Sequence, residues 1–390
     1  MAGNIKGKVR GRTLKSVIIT GLAAVVVVCS QQSVIVDSAK GVAERAAILS
    51  AALALPDGGL KYLSPDSADQ QPPEPDEIVT QGSAGRTPAE NKNDETNTPP
   101  VAITQVNRPA ATTTPPEKNE PDIPKENRGA VSAALLYTQS ANMSFENVYV
   151  KNVTDAHTFD IEEELGKKPG VKIKKNNEPQ VLIMHTHTTE SYQPADSGYY
   201  DMTESAHSLD RNLSVVKVGD AITRQLNDAG ILTLHDETVH DYPSYNGAYD
   251  RSAETVQKYL DEYPSIQVVL DIHRDAITDD SGVKTKPTAE IDGKKAAQIM
   301  IISGCEEYPI IDYPDWEINL RFALRIQKQL ETDYPTLARP LYFAARHYNQ
   351  QMTHGSLLIE MGSDGNTLEE AVYSGEMLGK ALAELLATLK

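Results

Sequence analysis

The sequence predicts an α/β protein with a twisted, mostly parallel sheet and helices on both faces. From about residue 170 to the end of the chain, short apolar segments alternate with segments in which apolar residues recur at helical spacing. Three of the apolar segments end in side chains that can bind a metal, at residues 181–187, 268–273 and 357–360. Functional groups collect where the carboxyl ends of such strands meet, so both observations favour the same fold.

The predicted strands are short runs of branched or aromatic apolar residues. They span residues 147–153, 181–184, 231–235, 268–271, 298–302, 341–344 and 357–360. The predicted helices carry an apolar face at a spacing of three and four residues. They span residues 213–226, 252–263, 316–330 and 368–389. Gly230 and Pro264 follow the first two helices and are typical residues for ending them.

The first 36 residues predict a basic cytoplasmic segment and a single-pass membrane anchor. The first fifteen residues contain five cations and no acid, and residues 17–29 are mostly apolar. These features are the n-region and h-region of a Sec signal or an uncleaved signal-anchor, and because no small-x-small cleavage site stands out we favour the retained anchor. A spanning helix needs about 20 residues, so residues 30–36 are expected to extend this segment. Basic residues stay on the cytoplasmic side, and the rest of the chain is therefore expected outside.

Residues 37–129 are expected to form a short extracytoplasmic helix and a disordered tether, and residues 130–390 a catalytic domain. The helix is predicted over residues 37–63, whereas residues 64–127 are rich in Pro, Thr, Asp, Glu and Asn. A segment of that composition cannot offset the entropy of ordering by burial. The net charge of the chain is −18, which argues against nucleic acid as a partner.

Histidines and acids at the strand ends predict a catalytic zinc site. Zinc in such sites takes three ligands from His, Asp and Glu, and it keeps one position for water. We interpret His187 and His273 as ligands and Glu360 as the general base that moves the proton of that water. Arg274 and Asp275 are interpreted as residues that either support the ligands from outside or orient substrate, and Arg274 is assigned to the catalytic residues. The alternative for Glu360 is a structural ion pair with Arg274.

Three further residues are candidates for completing the metal site. His185 is either a ligand or a buried residue that orients one. Glu190 either binds the metal or begins a helix. Asp210 is either the third ligand or only the N-cap of the first predicted helix. In the loop before the last strand, Tyr348 and Asn349 are candidates for contacts with substrate.

Four ordered motifs carry a resemblance to a known family. They are HTHTTESY at residues 185–192, LDIHRDA at 270–276, EINLRFA at 317–323, and LIEMG at 358–362 followed by NTLEEA at 366–371. Together they resemble the stage II sporulation protein P family over roughly residues 145–390. That family is similar to the zinc-dependent N-acetylmuramoyl-L-alanine amidases, which implies an amidase-like fold.

The resemblance implies roles for individual residues. His187 corresponds to the first ligand of the amidases, His273 to their other histidine and Glu360 to their catalytic acid. Their middle ligand is a Glu that opens the first helix, whereas the nearest position in this sequence is Asp210. The reaction implied is zinc-dependent cleavage of the amide between N-acetylmuramic acid and L-alanine in peptidoglycan, with peptide cross-links as a further target.

The resemblance also implies a cellular location and a set of partners. The protein is expected in the mother-cell membrane, with its catalytic domain facing the septal cell wall during engulfment. Expected partners are peptidoglycan, a lytic enzyme that cleaves glycan, and a membrane scaffold protein. The alternative is a non-catalytic protein that binds peptidoglycan and recruits a partner wall hydrolase, and the departure at Asp210 is its only support. A barrel amidohydrolase needs eight strands, and only five or six are predicted in the C-terminal part.

Overall fold

The structure is a computed structural model, and it describes residues 121–174, 176–307 and 309–389. The predicted anchor and the predicted tether as far as residue 120 lie outside the described residues. Over the described ranges, none of the helices combines the length and the apolar character needed to span a membrane.

Twelve strands and five α-helices make up the described part of the chain. The strands are β1 (Arg128–Ala134), β2 (Met143–Phe145), β3 (Val148–Asn152), β4 (Val181–Met184), β5 (Tyr199–Asp201), β6 (Thr233–His235), β7 (Val268–Asp275), β8 (Lys284–Ile291), β9 (Lys294–Ala297), β10 (Ile299–Cys305), β11 (Leu341–Ala345) and β12 (Gly355–Ser363). The helices are α1 (Ile161–Gly166), α2 (Val216–Asp228), α3 (Ala248–Glu262), α4 (Trp316–Asp333) and α5 (Leu368–Thr388).

The strands form two sheets. The larger has eight strands in the order β2-β3-β11-β10-β12-β7-β4-β6, and the smaller has four in the order β5-β1-β8-β9. All seven strands predicted from the sequence are present in the larger sheet, and the four predicted helices correspond to α2 to α5. The smaller sheet, β2 and α1 were not predicted.

The sheets are mixed, and the prediction of a mostly parallel sheet is wrong. In the larger sheet, β2 is antiparallel to β3 and β10 is antiparallel to β12. The reversal of β10 follows from the hairpin of β8 and β9, which lies between β7 and β10 in the chain. Only Gln298 separates β9 from β10, so β10 enters the sheet where β12 finishes, with Ile299 opposite Met361. No helical crossover stands at this point to return the chain for a parallel strand.

The central strands β12, β7 and β4 are parallel neighbours, and their register brings the predicted functional residues together. Met184 at the end of β4 lies opposite Asp271 of β7. Glu360 of β12 lies opposite His273 of β7. Since β7 continues four residues past Asp271, its last residues project beyond the end of β4.

Helices cover both faces of the larger sheet, as predicted. Val181 and Ile183 of β4 belong to a large core that also contains buried residues of α2, α4 and α5. Leu182 and Met184 point to the other face and pack in a smaller core with Val256 of α3. The period-two alternation of a strand therefore explains why every residue of β4 is buried.

Helix α2 begins later than predicted, and the interpretation of Asp210 as its N-cap is wrong. The N-cap is Val215, and the helix starts at Val216. The residues before the helix bond to the loop after β4, because Val215 N donates to Glu190 O and Ser214 bridges to Ser191. Asp210 lies five residues before the N-cap in an exposed turn.

Helix α5 has a well-formed start that gives a test of its stability. The side chain of Thr367 accepts a hydrogen bond from Glu370 N, and the Glu370 side chain accepts one from Thr367 N, which makes a capping box. We expect Thr367→Ala to lower the free energy of unfolding by about 1 kcal/mol, because a helix N–H loses its partner. Chemical denaturation measures this change.

The matched control is Thr388→Ala, because Thr388 is exposed at the other end of α5 and its hydroxyl donates to Leu385 O within the same helix. This substitution is expected to stay within about 0.5 kcal/mol of the parent. Equal losses in the two variants would contradict the capping role of Thr367.

Candidate metal centre

Three buried side chains at the end of the central strands form a candidate metal centre. His187, Glu190 and His273 each offer one ligand atom, and these atoms all lie within 4.8 Å of one another. The Nδ1 atom of His187 is 3.2 Å from Glu190 Oε1, and the Nδ1 atom of His273 is 3.6 Å from Glu190 Oε2. One carboxylate therefore stands between two imidazoles, with no more than 2% of any of the three residues exposed.

The positions of these residues follow from the strand ends. His187 and Glu190 belong to the buried loop that leaves β4, and His273 is carried by β7 beyond the last residue of β4. The loop folds back over β7, because the backbone N–H of Arg274 donates to Glu190 Oε2 over 2.9 Å. The separation of three residues between His187 and Glu190 lets both side chains reach the same point from one turn.

Charges around Glu190 keep it ionised. Burial raises the pKa of this carboxyl, but His273, His187 and Arg274 outweigh burial and hold the pKa well below its ordinary value. Burial lowers the pKa of His273, but Asp271 and Glu190 outweigh that effect and hold it well above its ordinary value. Two carboxylates, Glu190 and Asp271, thus flank the His273 ring and favour a positive charge on it.

Asp271 orients His273 from behind. Its Oδ1 atom is 2.8 Å from His273 Nε2, a close ionic contact that lacks the alignment of a hydrogen bond. Thr186 fixes the carboxylate by donating from its backbone N over 2.8 Å and from Oγ1 over 2.7 Å. With Nε2 turned to Asp271, His273 presents Nδ1 to Glu190. Sequence reasoning missed Asp271, although an acid two residues before a histidine lies on the same face of a strand.

Glu360 lies beside the group with one atom unsatisfied. It is 5% exposed, and among the described residues its Oε2 atom has no hydrogen-bond partner. Burial and the neighbouring Asp275 raise the pKa of Glu360 well above its ordinary value, and His273 opposes this. A buried carboxyl with a raised pKa next to candidate ligands is suited to accept and return a proton.

Arg274 bonds to the backbone around the loop that carries Glu190. The side chain is fully buried, and its guanidinium donates to Ser191 O and Ala206 O over 3.1 Å and 2.7 Å. These bonds clamp the loop that carries Glu190. Of the two roles expected for Arg274, the placement favours support of the ligands from outside over orientation of substrate, because the guanidinium bonds to the backbone around this loop.

The structure does not bring His185 or Asp210 into the group. His185 Nδ1 donates to Ile272 O, and its Nε2 lies 2.9 Å from His235 Nε2, so both ring nitrogens are engaged elsewhere. Burial, with a contribution from His235, lowers the pKa of His185 to about 3. Asp210 Oδ1 accepts bonds from the backbone and side-chain nitrogens of Asn212 in its own turn. Glu190 is the acid that lies between the two predicted histidine ligands.

A second set of possible ligands, Asp220, His235 and Glu237, lies at the edge of the sheet. All three are only partly buried. Lys217 Nζ is 2.7 Å from Asp220 Oδ2, and Arg211 Nη1 is 2.9 Å from Glu237 Oε2. Because side-chain cations already neutralise both carboxylates, this set is a weaker candidate for a metal.

Aromatic rings close one side of the centre. The Tyr245 ring stacks on His187 with centroids 4.4 Å apart, and its hydroxyl lies 3.3 Å from His187 Nδ1. The Tyr249 ring is 5.5 Å from His187, and it lies parallel to His273 at 6.4 Å. Sequence reasoning missed both tyrosines. Helix α3 begins at Ala248 rather than at the predicted residue 252, which places Tyr249 on its first turn.

The chain thus combines an α/β fold with a buried His–Glu–His group and a neighbouring unsatisfied carboxyl group. These features place it among the α/β proteins with a candidate catalytic metal centre. The family model described as stage II sporulation protein P matches residues 78–383. The chain therefore belongs to the stage II sporulation protein P family.

One relative is the stage II sporulation protein P of Bacillus subtilis (strain 168). It is 30% identical over 216 residues, which cover 53% of this chain and 50% of that protein. The chain thus matches about half the length of this relative.

Solved structures include similar proteins at low identity. The N-acetylmuramoyl-L-alanine amidase AmiC2 of Nostoc punctiforme is 13% identical, with a TM-score of 0.33 over 55% of this chain and 97% of that one. The N-acetylmuramoyl-L-alanine amidase from Clostridium difficile 630 is also 13% identical, with a TM-score of 0.32 over 55% and 97%.

A measurement of metal binding distinguishes Glu190 from Asp210 as the third ligand. We expect Glu190→Gln to weaken zinc binding by more than about 100-fold, which exceeds the effect of residues that only orient ligands. Asp210→Asn is the matched control and should bind zinc like the parent, because Asp210 lies in an exposed turn. Competition with a chromophoric chelator measures both affinities. Equal weakening in the two variants would return Asp210 to the set of ligands.

Proposed function

We propose that this protein is a zinc-dependent peptidoglycan hydrolase that cleaves the amide between N-acetylmuramic acid and L-alanine during engulfment in sporulation. The observation that carries the proposal is the buried group of His187, Glu190 and His273 with the unsatisfied Glu360 beside it. Membership of the stage II sporulation protein P family supports the setting in sporulation. The motif resemblance to zinc amidases supports the choice of bond, and peptide cross-links remain a second target within the proposal.

The residues of the group fit zinc. Two imidazoles and one carboxylate are a donor set of catalytic zinc sites, and such sites keep a position open for water. His187, Glu190 and His273 would hold the ion. When bound, zinc lowers the pKa of water and polarises a carbonyl. Arg274 and Asp271 support the set from outside by fixing the loop of Glu190 and the ring of His273.

Glu360 is the residue that we assign to proton transfer. Its Oε2 atom accepts the proton of the attacking water and returns it to the nitrogen of L-alanine as the C–N bond breaks. The products are the free lactyl carboxyl group and the free amine of the stem peptide.

The location and the partners are also part of the proposal. The anchor and the tether predicted from the sequence would hold the catalytic domain outside the mother-cell membrane and let it reach the septal wall. A lytic enzyme that cleaves glycan and a membrane scaffold would act beside it. The alternative of a non-catalytic scaffold rested on Asp210, and the position of Glu190 between His187 and His273 favours the enzyme.

Cleavage of isolated peptidoglycan tests the proposal. The purified protein with zinc should release stem peptides that carry a new N-terminal L-alanine, detected by amine labelling and mass spectrometry. Glu360→Gln should retain wall binding and lose cleavage by about 100-fold or more, as removal of a general acid–base does. A chelator should stop the reaction, and added zinc should restore it.

The matched control is Glu331→Gln, because Glu331 is also buried but lies in α4 and bonds to Tyr137. This variant should cleave at the rate of the parent. A zinc-loaded protein that produces no new L-alanine terminus would contradict the amidase, and new termini at cross-links alone would reassign the bond.

A further inference from the structure

The aromatic side of the metal centre extends outward through Tyr348. Tyr249 lies parallel to His273, and Tyr348 stacks on Tyr249 with ring centroids 5.3 Å apart. Burial raises the pKa of Tyr348, Arg346 opposes this, and Glu360 adds to it, so the phenol lies within the field of the proposed catalytic acid. Tyr348 remains partly exposed. It therefore forms the outer part of a wall that begins at a candidate ligand.

The backbone beneath this ring is held in an unfavourable conformation. Tyr348 has a φ of 42° and Asn349 a φ of 58°, so two consecutive non-glycine residues adopt the left-handed region. Such residues persist only where the surroundings fix them, and they cluster at ligand sites. The fixing contacts come from the Asn349 side chain, whose Nδ2 donates to Tyr249 O over 2.8 Å and to Ser252 Oγ over 3.1 Å.

A chain of hydrogen bonds connects Asn349 to the metal group. Ser252 Oγ lies 2.7 Å from Thr186 Oγ1, and Thr186 Oγ1 donates to Asp271 Oδ2 over 2.7 Å. Asp271 in turn contacts His273 through its other oxygen. Thr186 donates to the carboxylate, and Asn349 donates to Ser252. The Ser252 hydroxyl lies within reach of two acceptors, Thr186 Oγ1 at 2.7 Å and Tyr249 O at 3.1 Å.

This network fixes the distance between Tyr348 and the ligands. Ser252 and Thr186 are fully buried, so a displaced loop would leave hydroxyl groups without partners where water cannot replace them. The same carboxylate that orients His273 thereby anchors the outer aromatic ring. A residue that only filled space would not need this connection.

We propose that Tyr348 contacts the N-acetylated pyranose ring next to the scissile amide, and that Asn349 is the positioning residue that holds it there. The inference rests on the proposed function and names the part of the substrate that the wall recognises. The rings of this wall, Tyr249 and Tyr348, are phenols, and Arg346 interacts with the Tyr348 hydroxyl group. A pyranose presents a face of C–H bonds to an aromatic ring and hydroxyl groups at its rim, which matches that surface.

Two soluble substrates with the same scissile amide test the assignment. One is a disaccharide-peptide, and the other is a lactyl-peptide without a sugar. Tyr348→Ala should raise KM for the disaccharide-peptide by about tenfold, because an aromatic contact of ordinary strength is lost, and it should leave KM for the lactyl-peptide unchanged. Tyr348→Phe keeps the ring and should behave like the parent. Retained activity on the lactyl-peptide shows that the variants are folded.

Asn349→Ala should give the same selective rise in KM with an unchanged zinc content, because it releases the ring without touching a ligand. Asn349→Asp keeps the size of the side chain and removes the donor, so it should resemble Asn349→Ala. Tyr373→Ala is the matched control, because Tyr373 lies on α5 and bonds to Ile291. It should change KM for neither substrate.

A binding measurement separates this inference from the proposed function. Titration of a peptide-free disaccharide into the Glu360→Gln protein should show binding, and the added Tyr348→Ala substitution should weaken it by about tenfold. Equal effects of Tyr348→Ala on both peptide substrates, or no effect on the disaccharide, would overturn the sugar contact. A parent protein that cleaves neither substrate would refute the proposed function, and the disaccharide titration would still decide the role of Tyr348.

Discussion

A buried carboxylate between two buried imidazoles is the constraint on which the rest of the site depends. Glu190 is 1% exposed, and a buried charge is costly unless it is paired and hydrogen-bonded. One partner, His187, comes from its own loop, and the others are His273 and the backbone N–H of Arg274 on β7. The loop cannot move away from β7 without leaving this charge unpaired. Burial of the loop, which is unusual for a connecting segment, follows from that requirement.

The loop can be buried because its backbone groups find partners in three directions. Thr186 N bonds to Asp271 of β7, and Thr189 N bonds to Asp241 after β6. The segment before α2 supplies the rest, since Ser191 N donates to Ala206 O and Glu190 O accepts from Val215 N. These bonds also explain the late start of α2, because its first predicted residues serve the loop instead of the helix. The same hydrogen bonds therefore determine both the position of Glu190 and the residue at which α2 begins.

The sequence predicts the central part of this arrangement well and its edges poorly. His187, His273 and Glu360 follow or interrupt strongly apolar runs, and such runs identify β4, β7 and β12 because burial on both faces leaves little choice of residue. The smaller sheet escapes detection because β8 alternates polar and small residues and contains Pro287, which argues against a central strand although β8 lies between β1 and β9. Without that hairpin the direction of β10 cannot be foreseen. Asp210 is a candidate for the third ligand because it precedes a helical pattern. The position of Glu190 between the two histidines depends instead on a turn of the chain that the sequence pattern does not predict.

Strand β7 concentrates several tasks in a few residues. His273 points to the candidate centre, and Asp271, two residues earlier on the same face, orients it. Arg274 clamps the loop that carries Glu190, and Asp275 pairs with Arg339 beside Glu360. A slip of one residue in the register of β7 would turn all of these groups to the wrong faces at once. The buried apolar residues of the strand, packed between β12 and β4, therefore do more than stabilise the fold, because they fix the register that gives the site its geometry.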